Sequence, residues 1–305
     1  MPPPSSQPAP WEPVELTLPD GYLARGRVYA PASGQPVRSA VVCLHGIQSH
    51  AGWYQPMSEA LQADGRLVLW IDRRGSGENH EQRAHSRNPE QLVQDVHAAM
   101  RLAVSRVPTR CPVDLLGISW GAKLAAVAAA QALRAPAPHR PRPRSVTFCM
   151  PGFRPKIHPT LPARLRIAAS LLLGGSALHP IPLSDPALFT PHPHGQQILR
   201  DDPLALHQAT ASLLLTSRRL DGLIGDALRD LAPLPAAVLL ARTDAIIDNA
   251  ATEVLLAERL ASARIIHVAT DAHTPDLDPD SAAAFHQSLT DWFSELDARP
   301  QTLLE

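Results

Sequence analysis

At roughly 150 residues per domain, a chain of 305 residues allows one large domain or two small ones, enough for a sizeable core. Hydrophobic residues at 45% and charged residues at 19% describe an ordinary globular chain. A formal net charge of −1 gives no basic field to hold phosphates, which excludes nucleic acid as the expected partner.

Residues 1–10 are rich in proline and serine and read as a tail. They lack the positive start and apolar stretch of a secretory signal. No apolar stretch approaches a membrane span, and the longest candidate for one, Ile167–Leu173, is far too short. The three cysteines (Cys43, Cys111, Cys149) are odd in number and have no CxxC spacing. That argues against a disulfide framework and a thiolate metal site. The expectation is a soluble cytoplasmic protein.

Val14–Leu18 and Leu23–Ala30 flank Asp20-Gly21 and predict an antiparallel hairpin. Short apolar runs then recur at Ala40–Leu44, Leu67–Ile71, Val113–Leu116, Val146–Cys149, Ala237–Ala241 and Arg264–Val268. Helix-length stretches lie among them: Trp53–Ala63, Pro89–Ser105, Ala122–Leu133, Leu206–Leu220, Ala250–Leu260 and Asp280–Leu296. Alternating buried strands and helices predict an α/β chain with a mostly parallel sheet covered on both faces. Its ligand site belongs at the carboxyl ends of the strands. From Pro151 to Pro203 the alternation breaks, with many prolines, no strand and one apolar helix candidate around Leu165–Leu173. So long an irregular segment reads as a lid. The predicted organisation is a core from 11–150 and 204–305 with a helical cap inserted over 151–203.

The run Val113–Leu116 leads straight into Gly117-Ile118-Ser119-Trp120-Gly121 and a helix. Strand, G-x-S-x-G, helix is the context of a nucleophile elbow, whose glycines give a strained turn room to present the serine hydroxyl. The plain alternative is a helix-capping serine. A serine needs a base, and the base needs a group to orient it. Asp244 follows the strand ending at Ala241, and His273 follows the last strand. Asp248 precedes a helix and reads as its cap; Asp271 is too near His273 to turn onto its ring. His267 lies inside an apolar run and reads as a core histidine. The loop after Leu44 would supply the Ile47 amide, which with the Trp120 amide would form an oxyanion hole. His45 and the Asp72-Arg73 turn read as loop-shaping groups. His192-Pro193-His194 has no carboxylate or cysteine at metal-binding spacing, so neither metal nor cofactor is expected.

Taken together, His45-Gly46, Asp72-Arg73-Arg74-Gly75-Ser76-Gly77, the GISWG elbow, Arg242-Thr243-Asp244 and Ala272-His273-Thr274 resemble the landmarks of α/β-hydrolases. They look closest to bacterial lysophospholipase and monoacylglycerol-lipase-like enzymes. The resemblance implies an α/β-hydrolase fold with an inserted helical cap. It also implies a Ser119, Asp244, His273 triad, oxyanion amides at Ile47 and Trp120, and hydrolysis of small-molecule carboxylic esters or lipids. Cap leucines would line an acyl tunnel or touch a membrane surface, or simply bury the cap on the core. Two alternatives share the scaffold: the same triad acting on amide, thioester or carbon–carbon bonds, and a silent relative that only binds. Thr274-Pro275 departs from the family pattern and would stiffen the histidine loop.

Overall fold

The computed structural model describes residues 10–299 except Pro136 and Pro138. Apart from Pro10, the tail expected over residues 1–10 therefore lies outside the described residues. The chain begins with an antiparallel pair, β1 (Glu12–Thr17) and β2 (Leu23–Tyr29), turning through Gly21 at φ +84°. It continues through β3 (Ser39–Leu44), α1 (Gln55–Ala63), β4 (Arg66–Ile71), α2 (Pro89–Arg106), β5 (Val113–Ile118), α3 (Gly121–Arg134) and β6 (Val146–Cys149). Then come α4 (Leu161–Leu172), β7 (Leu178–Pro180), α5 (Pro193–Asp201), β8 (Gln208–Thr210) and α6 (Ala211–Asp230). The last elements are β9 (Ala236–Ala241), α7 (Asn249–Arg259), β10 (Arg264–Val268) and α8 (Ala282–Ala298).

Eight strands form one sheet in the order β1-β2-β4-β3-β5-β6-β9-β10, parallel from β4 onward. Every residue of β3, β4, β5, β6 and β9 is buried, which is why these strands read as short, largely apolar runs. α2, α3, α6 and α7 cover one face and α1 and α8 the other. Asn88, Thr210 and Asp248 side chains cap α2, α6 and α7. At the amino-terminal edge, Arg144 grips buried Asp114 (2.9 and 2.6 Å) and Asp297 of α8 (2.6 Å), and buried Arg66 reaches the same Asp297 (2.9 Å). This network fixes α8 at the edge opposite the loops described below.

Three expectations change. β10 is an edge strand, so four of its five side chains keep contact with solvent. His267 among them faces Glu253 at 3.4 Å and is not a core histidine. The helix expected over Leu206–Leu220 begins at Ala211, because Thr210 accepts from Leu213 N (3.2 Å). It runs through Gly222 and Gly225 to Asp230, held by buried Leu220, Ile224, Ala227 and Leu228. The segment expected to lack strands contains β7, which pairs antiparallel with β8 over three residues. No helix among the described residues is long and apolar enough to cross a membrane.

Candidate active site

The turn from β5 to α3 carries Ser119 at φ +53°, a left-handed conformation that few side chains adopt. Its neighbours leave no room for a side chain. A Cβ on Gly117 would lie 2.6 Å from the Ala122 Cα, and one on Gly121 would lie 2.7 Å from the His45 carbonyl oxygen. Backbone bonds hold the turn from both sides: Ser119 N donates to Cys149 O (2.9 Å) and Gly152 N donates to Ser119 O (2.8 Å). Strain kept in place by its surroundings is a mark of functional turns.

Two loops bring polar groups to this serine. His273, 2% exposed, places Nε2 2.8 Å from Ser119 Oγ and Nδ1 2.8 Å from Asp244 Oδ2. The other Asp244 oxygen accepts from the amides of Ile246 (2.8 Å) and Ile247 (2.9 Å). Burial pushes the Asp244 pKa up, but His273 and these amides outweigh it and hold the carboxyl below its usual range. An ionised Asp244 fixes the His273 proton on Nδ1, leaving Nε2 to accept from the serine hydroxyl. Asp248 does not approach the ring; it caps α7 by accepting from Ala251 N (3.0 Å). Asp271 sits at the surface, paired with Arg242 and accepting from Thr243 Oγ1 (2.7 Å).

The loop after β3 lies beside the serine, since a Cβ on Gly46 would be 3.5 Å from Ser119 Cβ. The amides of Ile47 and Trp120 donate to no acceptor among the described residues. His45 holds this loop: Nδ1 donates to Gly46 O (2.8 Å) and Nε2 accepts from Arg73 N (2.9 Å). Buried Asp72 accepts from Ala51 N (2.8 Å) and Glu78 N (3.0 Å), as expected of a loop-shaping group.

The profile of the family described as serine aminopeptidase, S33 (Hydrolase_4) matches residues 35–274. The chain belongs to this family of hydrolases. A monoacylglycerol lipase of Mycolicibacterium smegmatis is 36% identical over 84 residues, 28% of this chain and 30% of that lipase. The match therefore spans under a third of that relative. The fold is that of the α/β-hydrolases. A monoglyceride lipase of Saccharomyces cerevisiae superposes with a TM-score of 0.74 at 13% identity, over 90% of this chain and 92% of that one. The Paleococcus ferrophilus monoacylglycerol lipase gives 0.72 at 18% identity, over 94% and 99%.

Several parts of this S33 hydrolase site were not legible in the sequence. Phe189 stands edge-on to the His273 ring at 6.0 Å, and its carbonyl accepts from Thr274 N (2.9 Å). Lys156 donates to Asp244 O (2.5 Å) and to Ile246 O through its amide (2.8 Å), bracing the acid loop from the segment after β6. Asp202 accepts from Trp53 Nε1 (2.5 Å) and His50 Nε2 (3.0 Å), tying the chain beyond α5 to the loop after β3. Asp276, fully enclosed, accepts from Met57 N at the start of α1 (2.9 Å) and from His286 of α8 (2.7 Å), fixing the loop three residues past His273. Only Thr274-Pro275 hinted at a fixed loop there.

Proposed function

We propose that the protein is a cofactor-independent serine hydrolase of carboxylic esters with an apolar acyl chain, such as monoacylglycerols or lysophospholipids. The observation that carries this reading is the line from Asp244 through His273 to Ser119, 2.8 Å at each step. His273 takes the proton as Ser119 attacks the ester carbonyl, and the Ile47 and Trp120 amides receive the oxyanion. His273 then protonates the leaving alcohol, and water repeats the sequence on the acyl-enzyme. Each well-aimed oxyanion donor contributes about 3–4 kcal/mol.

Esters are favoured over peptide amino termini because an α-ammonium needs a free carboxylate near Ser119. Asp72 and Asp202, which flank the loop after β3, are occupied by amides, Trp53 and His50. The named activity of the similar lipases points the same way.

We assign residues 151–203 as the cap. Its helix α4 has no buried residue; Leu161, Leu165, Leu172 and Leu173 are 64–89% exposed beside Arg164 and Arg166. Those leucines do not bury the cap on the core, so we read α4 as the part that meets a lipid surface. Three free cysteines fit a reducing, cytoplasmic location.

The test is a rate profile over p-nitrophenyl esters from acetate to laurate, with monoacylglycerol, lysophospholipid and an aminoacyl anilide alongside. Longer esters should lead, and Ser119→Ala should lower the rate by roughly 10⁴–10⁶. Anilide cleavage faster than ester cleavage would reject the ester reading.

A further inference from the structure

Arg73 stands directly behind the loop after β3, in a position that the reaction above does not use. Its Nη1 donates to Gly46 O (3.2 Å) and its Nη2 to Ile47 O (2.8 Å) and Ser76 Oγ (2.6 Å). The guanidinium carbon lies 4.7 Å from the centre of the Trp120 ring. One side chain therefore touches the residue on each side of the proposed oxyanion hole.

The chemistry around this cation is unusual in one respect. The fully buried arginines are paired: Arg66 and Arg74 each bond two carboxylates. Arg73 forms no ion pair among the described residues, and its Nε is sealed from solvent with no acceptor. Burial pulls its pKa below the ordinary arginine value. A part-buried cation with no carboxylate bonded to it is under-compensated in the resting protein, because the neighbouring Asp72 offsets its burial only in part. It becomes favourable when negative charge develops nearby.

The geometry supplies the route to that charge. In a trans peptide the carbonyl and the N–H point in opposite directions. Arg73 and His45 Nδ1 both hold the Gly46 carbonyl, so the Ile47 N–H of the same peptide points away from them. Hydrogen bonds that share a polar group strengthen one another. A cation on the carbonyl therefore makes the amide a stronger donor.

We propose that Arg73 is the positioning and charge-supplying residue of the oxyanion hole, aiming and polarising the Ile47 amide and acting as the through-peptide counterion of the tetrahedral intermediate. This rests on Ser119 being the nucleophile. Two hydrogen bonds and one peptide group separate the guanidinium from the oxyanion by about 8 Å. At an effective dielectric near 20, Coulomb's law puts the contribution at roughly 30-fold in rate.

The experiment compares Arg73→Gln, which can donate without charge, with Arg73→Lys, which keeps the charge without the fork. Each is assayed for kcat, KM and the affinity of an alkyl trifluoromethyl ketone. That ketone adds to Ser119 Oγ, its carbonyl oxygen becomes the oxyanion, and the serine proton passes to His273. Arg73→Gln should lower kcat/KM and the ketone affinity by the same factor, about 30-fold, with KM moving less than about 3-fold. Arg73→Lys should recover most of that loss. A residue that merely shapes the loop would lower the melting temperature and leave ketone affinity per folded molecule unchanged, and that outcome overturns the proposal. If Arg73→Gln does not fold, Arg73→Lys decides alone: ketone affinity reduced about 3- to 5-fold at constant KM supports the proposal, and wild-type affinity overturns it. Labelling of Ser119 by a fluorophosphonate in the wild type separates the two ideas. No label rejects the serine mechanism itself, whereas a label with unchanged Arg73→Gln kinetics rejects only the role of Arg73.

Discussion

Replacing Asp244 with asparagine probes the charge behind His273 with almost no change of shape. The Asp244 Oδ1 atom accepts from the amides of Ile246 and Ile247 at 2.8 and 2.9 Å, and an asparagine oxygen fills that role equally well. The side-chain NH₂ must then occupy the Oδ2 position, 2.8 Å from His273 Nδ1. A donor faces a donor there, and the ring escapes by moving its proton to Nε2. That nitrogen can no longer accept from Ser119 Oγ, which lies 2.8 Å away. Loss of the productive tautomer lowers the rate by up to about 10⁴, roughly 5 kcal/mol of barrier. The fold loses one charge-assisted hydrogen bond, about 2 kcal/mol, so the melting temperature falls by only a few degrees. The assay is p-nitrophenyl butyrate hydrolysis near pH 8 with a melting curve on the same sample. Asp248→Asn is the control, since asparagine caps α7 as well as aspartate does and should keep the rate within about 2-fold. Near-normal turnover in Asp244→Asn, or inactivity in Asp248→Asn, would refute this assignment of the acid.

Gly121→Ala should fail to fold or lose more than about 3 kcal/mol in chemical denaturation, because its Cβ would overlap the Leu44 and His45 carbonyls, which are backbone atoms. The Asp202 carboxyl is raised by burial but held down to about 2 by His50 and Trp53, so it stabilises the fold above its unfolded value near 4 and loses that effect as pH falls toward 2. Asp202→Asn should accordingly cost about 1–2 kcal/mol at pH 7 and roughly half as much at pH 3, measured by urea unfolding at both. Leu172→Asp, at a site 89% exposed, should leave stability unchanged. It should also weaken binding to phospholipid vesicles and long-chain turnover by about 5-fold or more, with acetate hydrolysis unaffected.

The sequence was legible wherever one local pattern decided the structure. The central strands are buried on both faces, so β3, β4, β5 and β9 stand out as apolar runs. The elbow was legible because a left-handed serine and two close backbone contacts demand glycines at fixed spacing. The chain order of the strands likewise put Asp244 and His273 on the loops that meet Ser119. β10 misled because an edge strand can carry the same apolar residues with half the burial, and so His267 faces solvent. β7 and β8 were missed because three-residue strands, one ending in Pro180, carry no periodicity. α5 was missed because only Gly195 and Leu199 are buried along it. Arg73 on the Gly46 carbonyl, Asp276 on the Met57 amide and Asp202 on the His50 ring join a polar side chain to a group 27, 219 and 152 positions away. Such pairings leave no local trace, because each polar residue alone looks like any surface residue.

The most direct test of serine catalysis is covalent labelling with an alkyl fluorophosphonate followed by peptide mass mapping. Ser119 Oγ displaces fluoride at phosphorus while His273 takes the serine proton. One adduct per chain should therefore appear on the peptide carrying Gly117-Ile118-Ser119-Trp120-Gly121, at a rate about 10⁴ lower in Asp244→Asn. An unlabelled wild-type chain that still hydrolyses esters, or an adduct on any other residue, would contradict Ser119 as the nucleophile.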